Sequence, residues 1–580
     1  MYTLDFETDA IEDFAPLLPK PVGCSIRTPE GESHYYSWDH PTENNCTKEQ
    51  FREVLVSIWS QEILTQNGCA FDIPIAEHWF GLPKRDPLLT HDTLFLSYLH
   101  DPHARSLSLK DLANDWLGIP PDDQQELYDW IMTNVPECKS RKKCGAYISR
   151  APGGLAGKYA NSDTMMTWEL YQYVAPLVLP LMQEPYDRER KLAPIVAGMQ
   201  NRGVRVDLER MRVDTLAATH KLHSLDAAVR HALGAPTLNP GSGAEVAQAL
   251  QQAGYSNFLT TPTGKVATNK ESLDQALEEA PELRELLRRR ATYATLVGTF
   301  MLPYVDIADN NGDRLHPSYN QVRNPEGFGT RTGRLSSSKP NFQNQPSGRM
   351  GEEYPVIRSY FLPEEGHIWI TGDFKNQEPR LAAHFEDGEL CAAFNADPNL
   401  DPYMFVVDLV GSIKRTEAKV IFLGLLYAMG AAALADQLGC TQTHATTLRN
   451  IIKAHLTGLV QLDNDCKRRF SIGLPIRTLG GRQYHCEPPA HGRNWAYKAL
   501  NILIQGSAAD QNKEAMIYIY DRLLPGERIV GTVHDEISVS APPERLEAIK
   551  AIMSEAANAL PCDVPMLFDF GHGASWAEAK

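Results

Sequence analysis

A chain of 580 residues is long enough for three to five compact units at roughly 100–200 residues each. Its 43% hydrophobic and 9% aromatic content supports real cores. No run of about 18 uncharged apolar residues is present, and the start Met1-Tyr-Thr-Leu-Asp-Phe-Glu lacks a basic, apolar leader, so neither a membrane span nor secretion is expected.

The formal net charge of −17 weighs against a nucleic-acid binder without excluding one. Metal-holding carboxylates add negative charge, and phosphate binding needs only a local basic face. Three basic clusters, Lys139–Lys143, Arg288–Arg290 and Lys467–Arg469, each read more simply as solvated faces. The 10 cysteines are scattered without a CxxC pair. Cys138 and Cys144 flank one of those basic runs at a spacing that fits no common zinc site, so reduced structural thiols are expected.

Taken in chain order, residues 1–180 read as mixed α/β. The first predicted element is a strand over Tyr2–Phe6. Alternation along it places Asp5 and Glu7 on one face. Two carboxylates side by side are costly unless a cation neutralises them, although an isolated D-x-E is more often a solvated strand end. A second strand, Ile63–Thr65, is followed by Gln66-Asn-Gly-Cys-Ala-Phe-Asp72, which supplies an acid after a strand. The Pro-, Gly- and Lys/Arg-rich stretch 136–157 is expected to be an irregular insertion. Tyr159 and Asp163, four apart, share one face of a predicted helix.

Further along, residues 187–200 predict a helix ending at Asn201-Arg-Gly203. Residues 208–233 and 272–300 are long and helical. Arg358–Leu362 and His367–Asp373 read as strands, and 402–470 is strongly helical. Ile529–Val539 reads as strand–turn–strand, with Val533-His-Asp-Glu536, and so Asp535, on a strand.

Four carboxylates and a tyrosine in this order resemble the proofreading exonucleases of the DEDDy type. The resemblance implies two Mg²⁺ ions, or Mn²⁺ in their place, held by Asp5, Glu7, Asp72 and Asp163, with Tyr159 orienting the attacking water. Asp92 matches a recurrent acid of that family and reads as a residue behind the ligands. The family places an asparagine four residues before the second acid, whereas Asn67 lies five before Asp72, which puts Asn67 as a DNA contact in doubt.

The second constellation begins at Thr371-Gly-Asp-Phe-Lys-Asn-Gln-Glu-Pro-Arg380, where Asp373 ends a strand. Arg415, Lys419, Leu423 and Tyr427 then recur at helical spacing along one stripe. Cations on a helix face are usually decoration. Together with two strand-end acids they favour a triphosphate clamp.

These residues closely resemble DNA polymerases of family A. The resemblance rests on Thr332-Gly-Arg-Leu-Ser-Ser337 with Pro340-Asn-Phe-Gln-Asn344, Asp373…Glu378…Arg380, Arg415…Lys419…Gly424…Tyr427, Asn501-Ile-Leu-Ile-Gln505 and His534-Asp-Glu536. Asn201–Asp207 and the closing Gly571-His-Gly-Ala-Ser-Trp576 fit as well. The family's 5′-nuclease domain is expected to be absent.

The resemblance implies an α/β and α+β multidomain fold, a ribonuclease-H-like exonuclease domain joined to a right hand. Residues 1–180 would form the exonuclease domain, 181–207 with 311–400 and 529–580 the palm, 208–310 the thumb and 401–528 the fingers. Asp373 and Asp535 would bind two further metal ions. Arg415 and Lys419 would hold the triphosphate, with Lys419 as general acid, and Leu423, Tyr427, Gln377 and Glu378 would complete the nucleotide site. Glu378 would exclude a ribose 2′-OH. Arg334, Asn341, Gln343, Asn344, Arg380, Asn501, Gln505 and His534 would touch DNA, and Glu536 would assist the metal side.

The implied partners are primer–template DNA and dNTPs. A monomer in the cytoplasm of a bacterial host, encoded by a phage, is expected. Four positions depart from the family. Leu423 stands where an aromatic is usual, Ala428 where a glycine is, Tyr403 where a histidine is, and Tyr497 where a template-side arginine is. They read as lineage drift with compensation; the alternative is tuning to an altered purine such as 2-aminoadenine. A nuclease with a non-catalytic DNA-binding half, and a purely structural DNA-binding protein, are the rival classes. A single-subunit RNA polymerase is disfavoured by Glu378 and the exonuclease acids.

Overall fold

The computed structural model describes residues 1–120, 124–261, 264–323, 329–346, 348, 351, 353–411, 413–489 and 495–580. Contacts divide the chain into two units. The first comprises Met1–Gly203, His316–Gln343 and Ile370–Gly571; the second comprises Val204–Leu315, Asn344–Trp369 and His572–Lys580.

The first unit opens with a five-stranded sheet in the order Ser33–Ser37, Pro21–Arg27, Tyr2–Thr8, Ile63–Thr65, Thr90–Asp92. The first three strands run antiparallel and the last two join in parallel. Leu4 and Phe6 point into a core with Phe51, Leu55 and Phe80, so the alternate residues Asp5 and Glu7 face the other way. The irregular stretch is in fact partly ordered. It holds a 3-10 segment, Arg141–Arg150, and its last residues, from Gly153, already belong to a helix.

The segment Gly153–Arg202 is two helices meeting at a kink; the first carries Tyr159 and Asp163, and the second contains the expected 187–200 and extends beyond it at both ends. Pro176, Pro180, Pro185 and Pro194 lie inside the segment, and such residues normally signal interruption. The break is confined to Met182 at φ −140° and ψ 35°. Gly203 ends the helix at φ 65°, as the sequence indicates.

The second helix is tied to the rest of the unit by buried ions. Lys513 Nζ donates to both oxygens of Glu189 at 2.6 and 2.8 Å, and Arg188 Nε donates to Glu514 at 2.7 Å. Arg482 pairs with Asp510. Burial alone would raise the Asp510 carboxyl, but Arg482 and Arg188 outweigh it and hold it below the usual range. Burying Glu189, Lys513, Arg482 and Asp510 costs roughly several kcal/mol per charge, and pairing offsets it.

A second sheet, ordered Arg528–Val533, Glu536–Ala541, Ile368–Phe374, Phe568–Gly573, carries the second constellation. Helices Gln377–Glu386 and Ala499–Tyr520 contact each other, and Ala499–Tyr520 also contacts Leu546–Ala556. The helical stretch resolves into Pro402–Val410, Arg415–Leu426, Ala431–Leu438, Gln442–His455 and Thr457–Ser471.

In the second unit, Asp207 caps the helix Leu208–Ala232 by accepting from the Arg210 N–H. Arg290, on the helix Pro281–Thr295, donates to Asp226 at 2.8 Å. The expected helix 272–300 is broken before Pro281, which lacks an N–H and restarts the helix at its first turn; after Thr295 it widens into a π-type turn, Leu296–Met301. The expected strand Arg358–Leu362 is a 3-10 turn, Ile357–Tyr360, with only Phe361–Leu362 extended. Arg358 lies 4.3 Å over the Trp576 ring, which stacks on Trp369 at 5.8 Å.

Candidate active sites

The strand Tyr2–Thr8 offers Asp5 and Glu7 from one face, and the loop after Ile63–Thr65 brings Asp72 to the same place. The Phe6 N–H donates to Asp72 at 2.8 Å, pinning the acid to the strand between the other two. Asp92 explains why that loop is fixed. Its carboxylate accepts from the N–H groups of Asn67 at 2.8 Å, Cys69 at 3.1 Å and Leu94 at 3.0 Å, so it also caps the helix Thr93–His100. Asn67 gives Asp92 its backbone N–H in a left-handed conformation, φ 64°, and its side chain is exposed. The first helix of the segment Gly153–Arg202 supplies Tyr159 and Asp163 one turn apart.

These acids are buried: Glu7 is 7%, Asp72 3% and Asp163 8% exposed. Burial, then repulsion from Glu7, Asp72 and Asp163, pushes the Asp5 carboxyl well up. Burial and repulsion from Asp163 and Asp72 do the same to Glu7. Burial raises Asp72 to about 7, against the opposing Phe6 hydrogen bond. The Tyr159 hydroxyl is also pushed up, by burial and by Asp163.

Among the described residues no three His, Cys, Asp or Glu side chains stand ready-formed around a metal position. Lys110 is instead ion-paired with Asp163, a residue that pattern reading missed because it carries no motif spacing. The donor chemistry still fits a hard divalent cation, because the oxygens are all carboxylate and their mutual repulsion calls for positive charge.

The second site is an open cleft of about 550 Å³, lined among others by Asp373, Glu378, Asp401, Tyr403, Arg415, Lys419, Leu423, Tyr427, Asp535 and Asp569. Asp373 lies near the end of its strand, and the Phe374 N–H donates to the Asp535 carbonyl at 3.2 Å, joining the two acid-bearing elements. Asp535 sits in the turn between strands rather than on a strand. A two-residue hairpin needs a left-handed residue, and His534 provides it at φ 59°. Gly372 is favoured beside Asp373, since a Cβ there would crowd the Met553 terminal methyl at 2.7 Å and the Phe568 ring at 3.2 Å. The carboxylate pair again fits a hard divalent cation.

The helix Arg415–Leu426 presents its stripe to this cleft. Arg415 pairs with Asp401 at 2.6 Å, and Arg415 and Lys419 lie 5.3 and 5.7 Å from the Tyr403 ring centroid. Tyr403 thus does through its π face what a polar ring could do otherwise: it holds both cations beside the cleft. Burial, then the Glu378 charge, raises its hydroxyl to about 12. Tyr427 ends the helix and donates to Glu378, whose other oxygen takes Arg334. Ala428 follows at φ 52°, a left-handed position that favours glycine.

Other expected contacts divide. His534, Asn341 and Asn344 are exposed, and Asn501, Gln343 and Gln505 are half-buried. Gln343 Nε2 is engaged by the Leu335 carbonyl at 3.0 Å. Arg380 is a correction: it is fully buried and donates to the carbonyls of Lys375, Pro565 and Pro398 at 2.8, 2.7 and 2.6 Å, so it organises the loops behind the cleft and presents nothing to DNA. The Gln377 side chain also turns inward, to Gln511 at 3.0 Å and the Ala508 carbonyl at 3.3 Å. Glu536 is buried and accepts from Ser538 at 3.2 Å; it is not among the residues lining the cleft.

A family model for DNA polymerase family A matches residues 209–578. The DNA polymerase DpoZ of Vibrio phage phiVC8 is 29% identical, over 97% of this chain and 93% of the relative. A DNA-directed DNA polymerase of Pseudomonas phage M6 is 30% identical, over 74% and 71%. The thermostable DNA polymerase I of Thermus filiformis is 30% identical, over 82% of this chain and 58% of that longer protein. Among solved structures, the POL domain of Pol1 from M. smegmatis, in complex with DNA primer-template and dNTP, superposes with a TM-score of 0.77 at 22% identity, covering 100% of this chain and 96% of that one. The chain belongs to DNA polymerase family A.

Proposed function

We propose that the chain extends a primer 3′ end by template-directed addition of dNTPs in the 550 Å³ cleft, and removes mispaired 3′ ends in the Asp5–Glu7–Asp72–Asp163 pocket. The observation that carries the reading is the meeting of Asp373 and Asp535 in one cleft with Arg415 and Lys419. Acids and cations lining one cleft suit a triphosphate whose α-phosphorus is attacked while pyrophosphate leaves.

Mg²⁺, with Mn²⁺ as substitute, is the cofactor of this reading, held by Asp373 and Asp535 in the cleft and by the four carboxylates in the pocket. Bound divalent ions would supply Lewis-acid polarisation and neutralise developing charge at both centres. The chain's own groups do the rest. Arg415 exchanges Asp401 for the triphosphate. Lys419 Nζ hands a proton to the leaving pyrophosphate oxygen. Glu378, braced by Arg334 and Tyr427, fills the space a 2′-OH would need. Asn341, Asn501, Gln505 and His534 face the DNA. Tyr159 orients the water in the trimming pocket.

The domain reading accompanies this: exonuclease 1–180, thumb 208–310, fingers 401–528, and palm from 181–207, 311–400 and 529–580. The setting is phage genome replication in a bacterial cytoplasm. Primer extension with Mg²⁺ and the four dNTPs tests the reading directly. Template-coded products from the wild type, lost in Asp373→Asn, support it, whereas tight DNA binding without extension would leave the rival reading of a nuclease with a DNA-binding half.

A further inference from the structure

Lys110 lies on a four-residue helix, Leu109–Leu112, fixed at its start by Ser108, whose hydroxyl accepts from the Asp111 N–H and donates to the Asp111 carboxylate at 2.7 Å. From that anchored position its ammonium reaches Asp163 on the first helix of Gly153–Arg202. The pair is 16% and 11% exposed, so solvent screens it little. The same ammonium stands 4.7 Å from the Tyr159 ring centroid. It also opposes the upward push on both the Asp5 and the Glu7 carboxyl. One flexible cation therefore touches or compensates Asp5, Glu7, Tyr159 and Asp163 together.

We propose that Lys110 is a tethered cation that competes with divalent metal for the Asp5–Glu7–Asp72–Asp163 pocket, so that metal enters only as the ammonium leaves Asp163. The inference rests on reading that pocket as the trimming site. Metal and ammonium need the same Asp163 oxygens, and each answers the same repulsion among buried carboxylates. The lysine brings one charge where two ions would bring four, so it keeps the empty pocket folded yet yields when metal is plentiful. It would set the metal concentration at which trimming begins, and would hold the Tyr159 ring until then.

The test is metal affinity without DNA. In a full-length parent carrying Asp373→Asn and Asp535→Asn, to silence the other carboxylate pair, Mn²⁺ is titrated and free Mn²⁺ is followed by electron paramagnetic resonance. Lys110→Met should bind Mn²⁺ at least tenfold more tightly than the parent, and Lys110→Arg should stay close to it. In EDTA the Lys110→Met protein should melt below the parent, and Mn²⁺ should raise its Tm by more. Should Lys110→Met fail to fold, Lys110→Gln, which keeps length and polarity, gives the same comparison. Asp5- and Glu7-dependent binding that is unchanged or weaker in the charge-removing variants, Lys110→Met and Lys110→Gln, overturns the competition while leaving the pocket standing. Binding that survives Asp5→Ala with Glu7→Ala overturns the reading of the pocket itself.

Discussion

Replacing Tyr427 by Phe removes a single oxygen from the proposed nucleotide cleft and isolates what holds Glu378. In the wild type the Tyr427 hydroxyl donates to one carboxylate oxygen and Arg334 to the other. Burial, then the Glu378 charge, pushes the Tyr427 hydroxyl well up, so it stays a donor throughout the working range. A hydrogen bond to a charged group contributes about 1.5–3 kcal/mol. Tyr427 is 36% exposed, which favours the lower end and converts to about tenfold. With one brace gone the carboxylate swings, and ribonucleotide discrimination should fall by about that factor. The aromatic ring remains, so the KM for dNTPs should change little. Glu378→Ala should relax discrimination further, since it removes the bulk itself. The assay is single-nucleotide incorporation of rNTP against dNTP with the trimming pocket disabled. Discrimination unchanged in Tyr427→Phe but lost in Glu378→Ala would refute the bracing argument.

Ala428, at φ 52°, tests the strained helix end. Ala428→Gly relieves about 1 kcal/mol of left-handed strain but loosens the unfolded chain by a similar amount, so its melting shift should be small; Ala428→Val should cost about 1–3 kcal/mol, read by denaturant unfolding. Leu423 has no donor to replace a missing 3′-OH, so the wild type should reject ddNTPs by roughly ten- to a hundredfold and Leu423→Tyr should relax this, measured by ddNTP against dNTP incorporation. The pH dependence has a definite sign. Metal needs Asp72 ionised, so Mg²⁺-dependent trimming should fall as pH drops through about 7 while extension, which does not use Asp72, falls less. For the metal-free fold the same raised carboxyl gives stability that is full below about pH 4 and lost as pH rises through 7, so Asp72→Asn should melt higher than wild type in EDTA at pH 8.

Much of the placement was legible because the candidate residues lie in short motifs on regular elements. Asp5 and Glu7 share a strand face by alternation alone, and Arg415, Lys419, Leu423 and Tyr427 fall on one stripe by helical period, as the cleft lining has them. What escaped depends on contacts distant in sequence. Four prolines in Gly153–Arg202 signal several interruptions, yet the backbone leaves helical geometry only at the Met182 kink, because neighbouring packing outweighs local propensity. Arg380 looked available until the loops at Pro398 and Pro565 closed over it. Lys110 and Asp401 have no distinguishing spacing; only the fold shows that one meets Asp163 and the other Arg415. Asp535 was displaced from strand to turn by a single left-handed residue, His534, which strand propensity does not register.

The central claim is that one chain holds two chemically separate sites. The direct measurement follows one mismatched primer–template with Mg²⁺, scoring shortened and lengthened products for Asp373→Asn and for the double variant Asp5→Ala with Glu7→Ala. The account predicts that Asp373→Asn trims but does not extend, and that the double variant extends matched ends but does not trim. Extension by Asp373→Asn within about tenfold of wild type, or Mg²⁺-dependent trimming retained by the purified double variant, would contradict it.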